Sequence, residues 1–217
     1  ASQNRANAMR LALVYKHGGS YMDADFLILK NPEFLKGPNG AAMQDNGRDT
    51  HMYNNAFFRF SQPRSELVLR LMEDFTNRYN GDKWGHQGPG LFDRVFGKCN
   101  EISLNSTSRL TGNRVGTFMS CPGTNETFVQ WPGEMIYPVH WHEDLETLFF
   151  EPHWKRNLSS RVKDTVALHW WNKMLKPIKY DACTKDRNNH THSALGKLRE
   201  EFCPLSVAAT MHSCKRR

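Results

Sequence analysis

The order of hydrophobic and polar residues along the chain predicts alternating helices and strands. Apolar residues recur at helical spacing in several segments, and the clearest of these runs from residue 65 to residue 79. The predicted helices cover residues 4–16, 65–79, 91–96 and 193–202, and the predicted strands cover residues 21–29, 51–60, 135–141 and 162–171. This alternation is typical of an α/β fold, in which helices pack on a sheet.

Two longer segments have the composition of loops. Residues 31–50 contain Pro, Gly, Asn and Asp, and residues 97–134 are mostly polar. Such clusters mark turns and irregular backbone more often than regular elements. We therefore expect a loop with one or two turns in the first segment and a variable loop in the second.

Two carboxylates stand one residue apart in the predicted strand that follows Gly18. In an extended chain the side chains of Asp23 and Asp25 share a face, so both can reach one small volume. Their mutual repulsion is removed by a hard divalent cation, and Mn²⁺ or Mg²⁺ binds such carboxylates together with phosphate oxygens. The ordinary alternative for an isolated Asp-x-Asp is a turn with two solvated aspartates.

Two further positions carry candidate chemistry. His86 and Gln87 lie between glycines, which allow a backbone to approach a ligand closely, although a solvated loop is an equal alternative. His169 ends an apolar strand, where a hydrogen-bonded structural histidine is the common alternative to a metal ligand. Lys173 lies nearby and can neutralise phosphate charge.

The overall charge changes the picture only in part. The 217 residues carry a formal net charge of +7, which suits anionic partners such as nucleotides or membrane surfaces. The basic residues are scattered, and no zinc-finger spacing is present, so the sequence argues against a nucleic-acid partner. No run approaches the roughly 18 apolar residues of a membrane span, and we expect a targeting segment upstream of this chain.

Glycosylation acceptor patterns and cysteines point to the lumen of the secretory pathway. The acceptor pattern occurs at Asn105, Asn125, Asn157 and Asn189. None of the five cysteines forms a Cys-x-x-Cys motif, so zinc and thioredoxin-type sites are not expected. The pairs that we expect are Cys99 with Cys121 and Cys183 with Cys203, although spacing alone does not fix this connectivity.

Three ordered motifs resemble those of the DXD-containing α1,4-glycosyltransferase family. They are RLALVYKHGGSYMDAD at residues 10–25, WGHQGP at residues 84–89 and HWWNK at residues 169–173. The resemblance extends from about Asn7 to Pro204 and is weakest across residues 97–134.

The resemblance implies a GT-A-type fold, a UDP-sugar donor, a glycolipid or glycan acceptor and Mn²⁺ or Mg²⁺. It also implies a Golgi enzyme whose luminal catalytic domain is joined to the membrane by an anchor upstream of this chain. Residues 1–217 would form one catalytic domain with a DXD half at 1–60, a family region at 61–205 and a tail at 206–217. The strand and helix that hold the uracil in GT-A folds would precede this chain.

The resemblance also assigns roles by position. The implied metal ligands are Asp23, Asp25 and His169, the implied catalytic residues are Gln87 and Asp25, and the implied donor-binding residues are Asn7, Arg10, Tyr21, Asp23, Asn55, Gly88 and Lys173. Gln87 would lie near the anomeric carbon. The family often has Asp at the position of Asn7, and this difference bears on donor choice.

The implied reaction is the transfer of a hexose in α1,4 linkage with retention of configuration. We expect front-face attack by the acceptor hydroxyl, because Gln87 is a poor nucleophile. Two alternatives remain open at this point. One is a catalytically inactive relative that binds a carbohydrate or UDP-sugar, and the other is a metal-dependent phosphohydrolase that uses Asp23 and Asp25.

Overall fold

A computed structural model of the chain describes residues 2–30, 37–47, 50–102, 109–111, 114–150, 158–175 and 193–202. Its helices are α1 (Ser2–His17), α2 (Glu66–Asn77), α3 (Pro89–Phe96), α4 (Gly133–Ile136), α5 (Leu145–Phe150) and α6 (Ala194–Phe202). Its strands are β1 (Gly19–Met22), β2 (Phe26–Ile28), β3 (Gly40–Gly47), β4 (Thr50–Phe60), β5 (Asn100–Glu101), β6 (Arg109–Thr111), β7 (Arg114–Val115), β8 (Thr117–Ser120), β9 (Thr127–Trp131) and β10 (Ala167–His169). None of the described helices has the length and apolar character needed to cross a bilayer.

A six-stranded mixed sheet organises these elements. Its strand order is β1-β4-β3-β9-β8-β5. Strands β3 and β9 pair in parallel, and the other neighbouring pairs in this sheet are antiparallel. The α/β class that the sequence predicts is therefore confirmed.

The sheet is buried on both faces because β3 and β4 alternate apolar side chains between two cores. Phe57 packs in one core with Trp131, and Phe58 packs in the other with Phe92. Side chains that are adjacent in a strand point to opposite faces, so a strand that is apolar at consecutive positions must be covered on both sides. Helices α1, α2 and α3 contribute to the second core.

A short two-stranded ladder brings distant parts of the chain together beside the main sheet. Strands β2 and β10 pair antiparallel, with His169 opposite Phe26 and Ala167 opposite Ile28. The backbone N–H of Leu29 also donates to the carbonyl of Val166 at 2.9 Å. This pairing places His169 next to the turn that carries the two aspartates.

The predicted helices at 4–16, 65–79, 91–96 and 193–202 are confirmed as α1, α2, α3 and α6. The side chain of Ser65 caps α2 by accepting a hydrogen bond from the N–H of Val68 at 3.3 Å. The predicted strand at 51–60 is confirmed as β4.

Four predictions from the sequence are wrong. Part of the loop expected at residues 31–50 is strand β3, and the loop expected at 97–134 contains β5 to β9 and the start of α4. A strand is expected at residues 135–141, but the first two of these residues belong to helix α4. Finally, the run from Tyr21 is divided, because a turn that contains Asp25 separates β1 from β2.

The disulfide between Cys99 and Cys121 is present and confirms the first expected pair. It joins the residues after α3 to the end of β8, across the second core. Asn125 is exposed, as a glycosylation acceptor must be. The expected pair Cys183 and Cys203, and the acceptors Asn105, Asn157 and Asn189, lie outside the described residues.

Gly40 explains why β3 is hard to recognise in the sequence and provides a test of the fold. A Cβ atom at residue 40 would lie 2.4 Å from the Trp131 ring and 2.8 Å from the carbonyl oxygen of Val129. We expect Gly40→Ala to destabilise the protein by about 1–3 kcal/mol, because the indole and the neighbouring strand must both move. Thermal unfolding of the purified chain measures this.

Gly81→Ala is the matched control for this substitution. A Cβ atom there meets only the end of the Tyr79 side chain at 3.1 Å, and residue 81 is exposed. Equal melting temperatures for the two variants would contradict the close contact between β3 and β9.

Candidate active site

The two aspartates occupy the turn between β1 and β2, and their backbone is fixed from both sides. The N–H of Asp23 donates to the carbonyl of Ala56 at 2.8 Å, and the carbonyl of Asp25 accepts from the N–H of Trp170 at 3.1 Å. Both side chains line a pocket of about 150 Å³. Hydrogen bonds to β4 and to the residue after β10 hold this turn, and the turn brings both carboxylates to one volume. The sequence predicts this proximity correctly, although it places the two aspartates in a strand.

Asp23 is held by a buried arginine and by a tyrosine. Arg10 Nη2 lies 3.2 Å from Asp23 Oδ1, and the hydroxyl of Tyr21 donates to the same oxygen at 2.5 Å. Burial and, next, this hydrogen bond raise the pKa of Tyr21 to about 12, so the phenol keeps its proton at neutral pH. Arg10 also lies 4.6 Å from the centre of the Tyr21 ring and donates to the carbonyl of Asn55 at 2.7 Å. Arg10 and Tyr21 use only one of the two oxygens of Asp23.

Asp25 is held by the chain segment that follows β10. Its Oδ1 lies 3.1 Å from His169 Nε2, and its Oδ2 accepts a hydrogen bond from the N–H of Asn172 at 3.0 Å. Burial alone would raise the pKa of Asp25, but the contact with His169 and the hydrogen bond from Asn172 outweigh it and hold this pKa below its ordinary value. Asp25 is therefore an ionised carboxylate at neutral pH.

A left-handed residue shapes this segment. Trp171 has φ 55°, a conformation that is uncommon for a bulky residue and that strained sites retain when the surroundings impose it. Its indole is buried, and Nε1 donates to the carbonyl of Val139 at 2.8 Å. The resulting turn directs the N–H of Asn172 at Asp25 and places Lys173 at the pocket, where Lys173 Nζ lies 2.9 Å from Gln3 Oε1.

The donor groups of the site fit a divalent metal ion. One ligand atom from each of Asp23, Asp25 and His169 lies within 4.8 Å of the other two. His169 is buried and stacks on Phe26 with the ring centres 4.5 Å apart, which fixes the orientation of the imidazole. Two carboxylates and one imidazole are ligands that suit Mn²⁺, and carboxylates alone suit Mg²⁺.

A pair of buried amides forms the opposite wall of the pocket. Asn55 Nδ2 donates to Asn7 Oδ1 at 2.9 Å, and both residues line the pocket. A Cβ atom at Gly88 would lie 3.3 Å from Asn55 Oδ1 and 3.4 Å from Asn7 Nδ2, so a glycine lets this backbone reach the amides. The structure thus brings most of the predicted site residues to one pocket: Asn7, Arg10, Asp23, Asp25, Asn55, His169 and Lys173.

Gln87 does not reach the pocket lining. Its side chain is buried with 1% exposure, and Nε2 donates to the carbonyl of Phe75 in α2 at 2.7 Å. Trp84, Gly85 and Pro89 of the same segment line the pocket instead. Tyr21 is likewise outside the lining, although it contacts Asp23.

The lining also includes two buried polar residues, Gln44 and Asn54, that the sequence does not single out. Gln44 Oε1 accepts a hydrogen bond from Asn54 Nδ2, and both side chains are buried and line the pocket. In the sequence Asn54 is adjacent to Asn55, and an asparagine at such a position is also typical of a turn. Gln44 has no signal of its own, because its strand has the composition of a loop.

Comparisons with known proteins agree with these motifs and this geometry. The family model described as "Glycosyltransferase sugar-binding region containing DXD motif" matches residues 1–46. The model described as "Alpha 1,4-glycosyltransferase conserved region" matches residues 60–210. The chain belongs to the α1,4-glycosyltransferase family. The α/β sheet with a DXD turn is the organisation expected of a GT-A-type fold in this family.

The similar curated relatives are hexosyltransferases. The chain is 32% identical over 204 residues to the lactosylceramide 4-alpha-galactosyltransferase of Pongo pygmaeus, covering 94% of this chain and 80% of the relative. It is 32% identical to the protein of the same name from Homo sapiens, of which it spans 49%. It is 30% identical over 170 residues to the alpha-1,4-N-acetylglucosaminyltransferase of Homo sapiens, covering 78% of this chain and 42% of the relative. No solved structure matches the chain.

The donor set of this glycosyltransferase can be tested without measuring activity. We expect the purified chain to bind one Mn²⁺ ion, and Asp25→Asn to weaken that binding about tenfold or more, because a ligand loses its charge. Titration calorimetry with Mn²⁺ and then with Mg²⁺ measures both affinities.

Asp93→Asn is the matched control, since Asp93 lies on α3 and does not line the pocket. Equal Mn²⁺ affinity in the wild type and in Asp25→Asn would show that the Asp23, Asp25 and His169 cluster does not hold the ion.

Proposed function

We propose that this chain transfers a hexose, namely Gal, GalNAc or GlcNAc, from a UDP-sugar to a glycolipid or glycan acceptor in α1,4 linkage. The observation that carries this proposal is the pocket in which two carboxylates and a buried histidine stand beside Arg10 and Lys173. A diphosphate leaving group needs a cation bridge and positive charge nearby, which the metal ligands and Lys173 supply in this arrangement.

The residues of the pocket divide into three roles. Asp23, Asp25 and His169 would hold Mn²⁺ or Mg²⁺, which when bound neutralises charge on the diphosphate as it leaves. Lys173 adds a mobile positive charge at the rim of the pocket, where it contacts only an amide oxygen of Gln3 among the described residues. Arg10 is committed to Asp23 and to the backbone of β4, so its role is to keep the DXD turn in place.

The amide wall orients the donor sugar. Asn7 and Asn55 are buried, and after their mutual hydrogen bond each keeps donor or acceptor capacity toward the pocket. The resemblance to the family implies a carboxylate at position 7, and the neutral amide of Asn7 offers a different partner to a sugar hydroxyl or acetamido group. We propose that this position contributes to the choice of donor sugar.

The lining of the pocket favours retention without a covalent intermediate. Among the described residues that line it, the carboxylates are Asp23 and Asp25, and both belong to the proposed metal cluster. A separate carboxylate nucleophile is what a covalent route requires. We therefore propose front-face attack, in which the bond from the anomeric carbon to the phosphate oxygen breaks and the bond to the acceptor oxygen forms on the same face. The proton of the acceptor hydroxyl passes to the departing phosphate.

Gln87 acts in this proposal through the backbone that it holds. Its hydrogen bond to Phe75 ties the segment 84–89 to α2. Arg94 reinforces the segment by donating to Asp74 at 2.6 Å and to the carbonyl of His86 at 2.9 Å. Gln87 is thus a positioning residue for the part of the segment that lines the pocket.

The same proposal includes the secretory compartment. The disulfide between Cys99 and Cys121 and the exposed Asn125 acceptor both suit an oxidising lumen. We propose that the enzyme acts at the Golgi membrane.

A sugar-nucleotide-binding relative without turnover is the second candidate. Asn7 favours it, because the resemblance to the family implies a carboxylate at this position and this chain has a neutral amide there. Metal-dependent binding of UDP with no transfer to any acceptor is the result that this candidate predicts.

A transfer assay tests the proposed function. UDP-Gal, UDP-GalNAc and UDP-GlcNAc are each offered with lactoside and hexosaminide acceptors, with Mn²⁺ or with EDTA. We expect transfer from one donor, at least a hundredfold loss in Asp23→Ala and Asp25→Ala, and loss in EDTA, because charge on the leaving group is then uncompensated.

The control variant for the assay is Asp93→Ala, which leaves the pocket lining unchanged. Transfer that persists in EDTA and in both DXD variants would contradict the metal role. The absence of transfer from all donors, with UDP still bound, would favour the binding relative.

A further inference from the structure

Strand β4 carries an irregular segment where it passes the donor pocket. Its pairing with β3 shifts between Ala41 and Met43, so that residues 54–57 of β4 lie opposite Ala42 alone. Consecutive side chains of a regular strand point to opposite faces, whereas a bulge directs them differently. The first three residues of this segment all line the pocket, as a bulge at this point of β4 allows.

The side chain of Asn54 holds this irregular segment in place. Its Oδ1 accepts a hydrogen bond from the N–H of Ala56 at 2.7 Å, and its Nδ2 donates to Oε1 of Gln44 on β3. The exposed fraction is 4% for Asn54 and 5% for Gln44, so both amides are buried. The carbonyl of Ala56 accepts in turn from the N–H of Asp23, which joins the segment to the DXD turn.

The backbone determines which end of each amide is engaged. The N–H of Ala56 can only donate, so the oxygen of the Asn54 amide must face it. The nitrogen of Asn54 is then left for Gln44, and because this nitrogen also only donates, Gln44 must present its oxygen. These two hydrogen bonds therefore leave Nε2 of Gln44, a group that can only donate, as the remaining end of the side chain.

The remaining end of the Gln44 side chain is available to a ligand. Gln44 lines the donor pocket, and its Nε2 has no hydrogen-bond acceptor among the described residues. A buried donor without an acceptor is costly, and native proteins leave few such groups unpaired. Two N–H groups in a fixed orientation are what a binding site offers to an oxygen atom of its ligand.

The neighbours of Gln44 indicate the chemistry of that ligand oxygen. Four neutral amides line the pocket together, and they belong to Asn7, Gln44, Asn54 and Asn55. The groups that suit a diphosphate, namely the metal ligands and Lys173, lie on the DXD turn and on the segment from β10 onward. An amide N–H without charge suits a hydroxyl or acetamido oxygen of a sugar.

We propose that Gln44 donates a hydrogen bond from Nε2 to an oxygen of the transferred hexose, and that Asn54 is the positioning residue that holds Gln44 in this orientation. The inference rests on the proposed function, because it assigns a contact to the donor of the same reaction. A site built to donate to one sugar oxygen discriminates against a donor that lacks this oxygen. Gln44 is therefore a specificity-determining residue.

Comparing UDP with UDP-sugars separates a contact to the sugar from a contact to the diphosphate. Titration calorimetry on the full chain with Mn²⁺ uses UDP, UDP-Gal, UDP-GalNAc and UDP-GlcNAc as probes. We expect Gln44→Met to weaken binding of the tightest UDP-sugar about three- to tenfold, as loss of one hydrogen bond predicts. Binding of UDP should stay within twofold of the wild type. Gln62→Met, at an exposed glutamine outside the pocket lining, is the matched control.

A second variant changes the orientation of Gln44 and leaves its side chain in place. Asn54→Asp keeps an oxygen for the N–H of Ala56, but at pH 8 its other oxygen only accepts, so Gln44 must turn Nε2 toward residue 54 and its oxygen toward the pocket. We expect the affinity for the UDP-sugar relative to UDP to fall about tenfold or more, because an acceptor then faces the sugar oxygen.

The ratio of the two affinities distinguishes this effect from charge and from structure. UDP carries more negative charge than a UDP-sugar, so repulsion by the new carboxylate would raise the ratio rather than lower it. A purely structural role of Asn54 would leave the ratio unchanged. In the Gln44→Met background, Asn54→Asp should lower the ratio no further, because its effect passes through Gln44.

The outcomes separate this inference from the proposed function. If Gln44→Met keeps the wild-type ratio, or weakens UDP as much as the UDP-sugar, Gln44 does not contact the hexose, and the transferase function stands wherever transfer persists. If Gln44→Met does not fold, the ratio in Asn54→Asp decides the same question. If the ratio falls but the wild type transfers no sugar, the transferase function fails and the contact stands. If the wild type binds no UDP-sugar, both proposals fail.

Discussion

The structure depends on how the negative charges of two carboxylates are compensated in one small, partly buried volume. Asp23 is compensated by Arg10, and Asp25 is compensated by His169 and by the N–H of Asn172. Like charges at this separation would otherwise shift one carboxylate toward its protonated form. The compensation comes from opposite ends of the chain, since Arg10 precedes the DXD turn and His169 lies 144 residues after Asp25. The turn therefore has its chemistry only in the complete fold.

The long-range contact explains why the small ladder of β2 and β10 is attached to a much larger sheet. Pairing of Phe26 with His169 fixes the imidazole beside Asp25, and stacking of the two rings holds it there. The left-handed backbone at Trp171 then turns the chain so that the N–H of Asn172 donates to Asp25 and Lys173 lines the pocket. This strain is tolerated because the buried indole donates to Val139 and anchors the turn in the core.

The sequence predicts the chemistry of the site better than its architecture. The helices and the DXD residues follow from local signals, namely periodicity, a glycine after α1 and two carboxylates at close spacing. The disulfide partner of Cys99 was an expectation that spacing alone did not fix, and the structure confirms it. Strand β3 was missed because it is built from small residues, and it needs them where Gly40 meets the Trp131 ring. A contact of that kind involves residues 91 positions apart and leaves no local pattern.

The same limitation accounts for Gln87 and Gln44. In the sequence Gln87 is the polar residue among glycines, yet the fold buries it against the carbonyl of Phe75 and lets the backbone around it meet the pocket. Gln44, which has no distinguishing neighbours, reaches the pocket because side chains on β3 alternate between two faces. That alternation turns the neighbouring side chains of Met43 and Asp45 away from the pocket, so the lining includes one of these three consecutive residues. The place of Gln44 in the site therefore follows from the fold, and no residue beside it in the sequence indicates it.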